Sequence, residues 1–143
     1  MPHIRDEGGQ FDAPIEVVWR FLGKFDHERS HKEIRNREVK SVSSNVLLVT
    51  EEQRFNGKWV KIRNRVTNIP PVGWIMEMEE GPMAGSKFFN IYHPNGDKTD
   101  VTIVGDFRSE QIPESQIEPA VRVFFEEMYK EDQVALKAFA LKK

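Results

Sequence analysis

Two Asn-Gly pairs, Asn56-Gly57 and Asn95-Gly96, lie within a long stretch of strand-like sequence that gives way to a helical period near the end of the chain. No other feature constrains the fold as much. Both central positions of a type I′ hairpin take positive φ, which Asn and Gly adopt at low cost. Asn56-Gly57 is therefore expected to join strands over Val46–Phe55 and Lys58–Asn68. Asn95-Gly96 is expected to join Lys87–Pro94 to Asp97–Arg108. Between the hairpins Pro70-Pro71 interrupts the chain, Val72–Glu79 reads as a further strand, and Gly81-Pro82 ends it. From about Ser115 to Leu141, Ile117, Val121, Phe124, Phe125, Met128, Ala135, Leu136 and Phe139 recur on one helical face. Such a helix is about 40 Å long at about 1.5 Å per residue, enough to cross a small sheet. Ser115 and Glu118 offer a capping box at its start.

Before the sheet, Ile4–Phe11 reads as a first strand weakened by Gly8-Gly9. A short helix follows, with Pro14 in its first turn and Val17, Val18, Phe21 and Leu22 as its apolar stripe. A second short helical piece is expected from about Asp26 to Lys32. The order predicts an α+β protein in which about six or seven antiparallel strands are covered on one face by the long helix. A chain of 143 residues fits a single domain spanning residues 1–143.

Hairpin register assigns the faces of the sheet. With Phe55 opposite Lys58, one face carries Leu47, Val49, Glu51, Gln53, Val60, Ile62, Asn64 and Val66. The other carries Glu52, Arg54, Trp59, Lys61, Arg63 and Arg65, a solvated cross-strand ladder. With Pro94 opposite Asp97, Phe88, Asn90, Tyr92, Thr99, Val101 and Ile103 share the inner face, joined by Trp74, Met76 and Met78. That face is not purely aliphatic. An unpaired buried polar group costs about 1–3 kcal/mol, so Glu51, Gln53, Asn64, Asn90 and Tyr92 either bond one another near strand ends or line a space open to a polar group. Asp132 falls in the middle of the apolar sector of the helix, flanked by Tyr129. It lies either at a cavity wall or at a rim, bonded to a backbone N–H or an arginine.

The opening Phe11-Asp12-Ala13-Pro14-Ile15-Glu16-Val17-Val18-Trp19-Arg20-Phe21-Leu22 resembles the start of START-like domains, the SRPBCC or helix-grip superfamily, which includes polyketide cyclase/dehydrase-type and lipid-transport proteins. The element order is similar to theirs along the whole chain. The resemblance implies a curved antiparallel sheet wrapped around a long C-terminal helix, with two short helices after the first strand and a hydrophobic cavity between sheet and helix. It implies no reaction, because fold does not fix function.

The expected ligand site is that inner space, lined by Glu51, Gln53, Val60, Ile62, Asn64, Trp74, Met76, Met78, Phe88, Asn90, Tyr92, Val101, Ile103, Phe124, Phe125, Met128, Asp132 and Leu136. The expected occupant is a small hydrophobic or amphipathic molecule, lipid-, aromatic- or polyketide-like. Two alternatives stay open. One is a small cyclase- or dehydratase-type enzyme using a cavity carboxylate (Asp132 or Glu51) with Tyr92 or Tyr129 as hydrogen-bond donor. The other is a protein-interaction module, such as a chaperone co-factor, using the charged sheet face.

Composition narrows the rest. The balance of 21 Lys+Arg against 23 Asp+Glu gives no basic footprint for nucleic acid. The absence of cysteine removes disulfides and thiolate sites and fits a cytoplasmic setting. Neither a secretory signal nor an apolar run of membrane-helix length is found, so no integral membrane association is expected. His27-Glu28-Arg29-Ser30-His31 matches the H-E-x-x-H string, but only His3 and His93 remain as further imidazoles, and a zinc site needs at least a third ligand. No metal and no cofactor are expected, and the chain is expected to be a monomer or a weak homodimer.

Overall fold

The computed structural model describes residues 3–22, 34–55 and 57–141. The expected second short helix and the H-E-x-x-H string lie outside these residues. The first strand, β1 (His3–Phe11), leads into α1 (Ile15–Leu22). Six strands follow: β2 (Ile34–Ser41), β3 (Val46–Phe55), β4 (Lys58–Ile69), β5 (Gly73–Glu80), β6 (Lys87–Asn95) and β7 (Lys98–Asp106). The long helix α2 (Glu114–Leu141) completes the order. The seven strands form one curved antiparallel sheet in the order β1-β7-β6-β5-β4-β3-β2, so strands β2 to β7 pair with their neighbours in sequence and β1 returns to pair with β7. Among the described residues no helix is long and apolar enough to cross a membrane.

The β3–β4 register is the expected one, with Phe55 opposite Lys58 and Glu51 opposite Ile62. The β6–β7 hairpin differs from expectation. Asn95 pairs with Lys98, so the loop is Gly96-Asp97 rather than Asn95-Gly96. Gly96 takes φ 64° at the first loop position, and the Asn95 amide Nδ2 donates to Asp100 Oδ2 at 3.2 Å, holding Asn95 inside the strand. Every pairing partner shifts by two positions, which is the side-chain period of a strand, so the assigned faces are unchanged. The helix start also differs. Gln116 N donates to the Pro113 carbonyl at 2.9 Å, which places Ser115 inside the first turn rather than at the cap.

Two apolar clusters fill the grip. One joins Val17, Val18 and Phe21 of α1 to Phe11, Ala13, Tyr92, Val101 and Leu136. The other joins Ile4, Phe88 and Phe107 to Ile117 and Val121 of α2. Trp74 packs against both, and its indole N–H donates to the Tyr92 hydroxyl at 2.9 Å. Gly105 lies opposite Phe88, where a Cβ would come within 2.4 Å of the Phe88 Cβ. A residue with no side chain is what lets β7 pass this close to the Phe88 Cβ and the Lys87 carbonyl. Thr99 is fully buried and donates to the Ala13 carbonyl at 2.8 Å, tying β7 to the entry of α1.

Candidate ligand-binding site

A groove of about 370 Å³ runs between α2 and the β1–β7 side of the sheet. Gly9, Val101, Ile103, Phe125 and Tyr129 supply its apolar lining, and Asp6, Arg122 and Glu126 its charged groups. Its position follows from β1. The strand bulges between Asp6 and Gly9, where the sequence reads Asp6-Glu7-Gly8-Gly9 and the pairing with β7 slips by one. Past the bulge Gly9 faces the helix. A Cβ there would lie 3.4 Å from the Val101 carbonyl oxygen and 3.7 Å from the Tyr129 ring, so the missing side chain keeps the floor open.

The helix side of the groove is fixed by polar contacts to β1. The Tyr129 hydroxyl accepts from Gln10 N at 2.9 Å and donates to the Gln10 carbonyl. Gln133 donates to the same carbonyl at 2.8 Å. Tyr129 also stacks on Phe11, with centroids 5.4 Å apart. Gln10 belongs to an edge strand, so these side chains satisfy backbone groups that no neighbouring strand reaches. Arg122 is held along the helix by Glu118 at 3.1 Å.

The expected site residues divide into three groups. Val101, Ile103 and Phe125 line the groove. Phe88, Tyr92, Ile62 and Leu136 are buried in packed interior. Trp74, Met76, Met78, Asn90, Phe124, Met128 and Asp132 are half-buried between sheet and helix, and Gln53 and Val60 are half-buried toward the β3–β4 turn. Glu51 and Asn64 are buried polar residues at 5% and 1% exposure. Gln53 Nε2 donates to Glu51 Oε2 at 3.4 Å. Both amide atoms of Asn64, and the Asn90 Oδ1, are buried without a hydrogen-bond partner among the described residues. Glu51 also borders a second hollow of about 240 Å³ beside the β2 bulge, with Asn36, Glu38, Thr50, Glu52 and Lys61.

Of the acid/base candidates, Asp132 and Tyr92 come within electrostatic reach of each other. Burial pushes the Tyr92 hydroxyl far above the ordinary tyrosine range; the Trp74 N–H pulls it down, and the Asp132 carboxylate adds an upward push. Tyr92 therefore keeps its proton. Glu51 does not converge on them. It lies on β3, three strands from β6, or roughly 14 Å at about 4.8 Å per strand. Among the described residues no group of three or more His, Asp or Glu side chains is placed to hold a metal ion.

No family model matches the chain, and no curated protein matches it. Solved structures do. A START superfamily protein from Mycobacterium smegmatis superposes with a TM-score of 0.81 at 10% identity, covering 95% of this chain and 97% of that one. The Zhui aromatase/cyclase from Streptomyces sp. R1128 gives 0.70 at 13% identity, covering 94% and 90%. The protein TTHA0849 from Thermus thermophilus gives 0.68 at 18% identity, covering 96% and 94%.

The fold is the START-like helix grip.

At these identities the likeness establishes the fold alone. Within this helix grip, sequence reasoning left out Asp6, Gly9, Arg122 and Glu126. The Gly8-Gly9 pair was the available signal: glycines inside a strand mark a bulge or a close approach. Arg122 and Glu126 sit on a helix flank that periodicity alone assigns to solvent.

Proposed function

We propose that the protein binds a small, largely apolar amphipathic molecule in the groove between α2 and β1–β7. The ligand class is lipid-, aromatic- or polyketide-like. The groove itself carries this reading: an apolar floor of Val101, Ile103, Phe125 and Tyr129 opens beside Asp6, Arg122 and Glu126. Binding sites for small molecules pair an apolar lining with a few placed polar groups in this way. Its volume falls within the range of about 300–1,000 Å³ typical of ligand sites. The helix-grip fold is consistent with it.

The test is a fluorescence titration with 1-anilinonaphthalene-8-sulfonate, followed by displacement with a medium-chain fatty acid and with a polycyclic phenol. Wild-type protein is expected to bind the dye at one site, and one competitor class to displace it. Ile103→Trp, which fills the groove, should weaken dye binding at least about tenfold, roughly 1.4 kcal/mol. Dye binding unchanged by Ile103→Trp, in a variant that unfolds as cooperatively as wild type, would refute the groove as the site.

A further inference from the structure

The outer face of the sheet, away from α2, carries a pattern that the ligand site does not use. Its central row runs across four strands as Thr67 on β4, Ile75 on β5, Phe89 on β6 and Val104 on β7, each opposite the next in register. Phe89 is 44% exposed and Val104 39%. One pleat along, the row is Arg65, Glu77, Lys87 and Asp106, again in register. On the other side of the apolar row Ile69, 40% exposed, continues through Gly73 and Ile91 to Thr102. Phe89, this exposed in the middle of the sheet, has Ile75 and Val104 in register on its two flanking strands, so the apolar groups form one row.

The charges are self-complementary. From β4 to β7 they alternate plus, minus, plus, minus. Reversing the row end to end therefore sets every charge against its opposite, while the apolar row falls on itself. A two-fold axis between two sheets, parallel to the strands and passing between β5 and β6, performs that reversal. It lays β6 of one copy over β5 of the other and β7 over β4. Lys87 then faces Glu77, Asp106 faces Arg65, Phe89 faces Ile75 and Val104 faces Thr67. Face-to-face sheets with aligned strands pack about 10 Å apart, a spacing that these side chains span. Arg65 also binds Glu79 within its own chain at 3.0 Å, and Asp106 binds His3. The central Lys87 and Glu77 lie beside the axis. Because the sheet curves around α2, its outer face is convex, and contact falls on these middle strands.

We propose that this face of β4–β7 is an isologous interface with a second copy of the same chain. It lies on the opposite side of the sheet from the groove, so it stands or falls independently of ligand binding. The test is sedimentation equilibrium of the full chain over a wide concentration range, with E77K, K87E and F89D variants. Wild type is expected to approach twice the mass of 16.7 kDa. E77K alone and K87E alone each set like charges against each other at both symmetry-related contacts, and should weaken association on the order of a hundredfold. An equimolar mixture of E77K and K87E should recover a heterodimer, because one chain then offers only lysines and the other only glutamates at these positions. Mixing cannot repair any disturbance within a chain, so the recovery reads contact between chains. F89D should abolish association while circular dichroism remains that of wild type. A wild-type protein monomeric at every concentration, a dimer insensitive to F89D, or a mixture no more associated than its components would each overturn the interface.

Discussion

The Tyr129 hydroxyl on the long helix binds both the N–H and the carbonyl of Gln10 on the edge strand. One side-chain oxygen thus replaces a missing neighbouring strand. Phenylalanine at this position keeps the stack on Phe11 and removes only the hydroxyl. Tyr129→Phe should therefore destabilise the protein by about 1–2 kcal/mol in urea unfolding, the cost of a partly buried backbone N–H left unpaired. Hydrogen exchange at the Gln10 amide should accelerate. Adding Gln133→Ala, which strips the remaining side-chain donor from that carbonyl, should cost more than the two changes summed.

Tyr92 gives the stability curve an alkaline limb. Burial is the main cause of its raised pKa, above the ordinary 10.0. A group whose folded pKa lies above its unfolded value contributes stability below the unfolded pKa and loses it as pH rises. Unfolding free energy should thus decline above about pH 10, by up to about 1.4 kcal/mol per pH unit from this one group. The Tyr92→Phe variant should show a shallower decline over the same range, measured by denaturant titration at stepped pH.

Asn64 is 1% exposed, with neither amide atom bonded among the described residues. Leucine has nearly the same volume and no desolvation cost. Asn64→Leu should stabilise the fold by about 1–3 kcal/mol, read as a raised urea midpoint at constant slope. A loss of stability would mean that the amide is paired in solution. A gain would mark Asn64 as a residue kept for something other than folding.

Gly105→Ala tests the closeness of β6 and β7. The added methyl would press on Phe88 and the Lys87 carbonyl. Overpacking in a closed core costs about 1–3 kcal/mol. The methyl meets the Phe88 Cβ and backbone atoms, which Phe88→Leu retains, so a double-mutant cycle should show no recovery from trimming the ring.

The order of elements along the chain, the β3–β4 register and the faces of the two hairpins were legible because glycine turns and a two-residue period are local signals. The β6–β7 loop was misplaced by one residue, since the Asn95 amide reaches Asp100 and glycine alone takes the positive φ. Parity protected the face assignment. The site was less legible. Of the expected residues, Val101 and Ile103 from the sheet face and Phe125 from the helical period border the groove, whose place beside Gly9 follows the β1 bulge. It depends on contacts far apart in sequence, such as Gly9 with Val101 and Gln10 with Tyr129. Tyr129 looked like a free donor at a cavity wall. Its hydroxyl is committed to backbone, which no periodicity reveals.

The pairing of β1 with β7 sets His3 opposite Asp106. The six strands from β2 to β7 can zip together through neighbouring hairpins, each closing a short loop. The first strand must wait for the last one. Loop-closure entropy delays such distant pairings, so the nucleus should form among the hairpins, and β1 and α2 should dock late and together. The same topology that opens the groove therefore makes its completion the closing step expected of the fold.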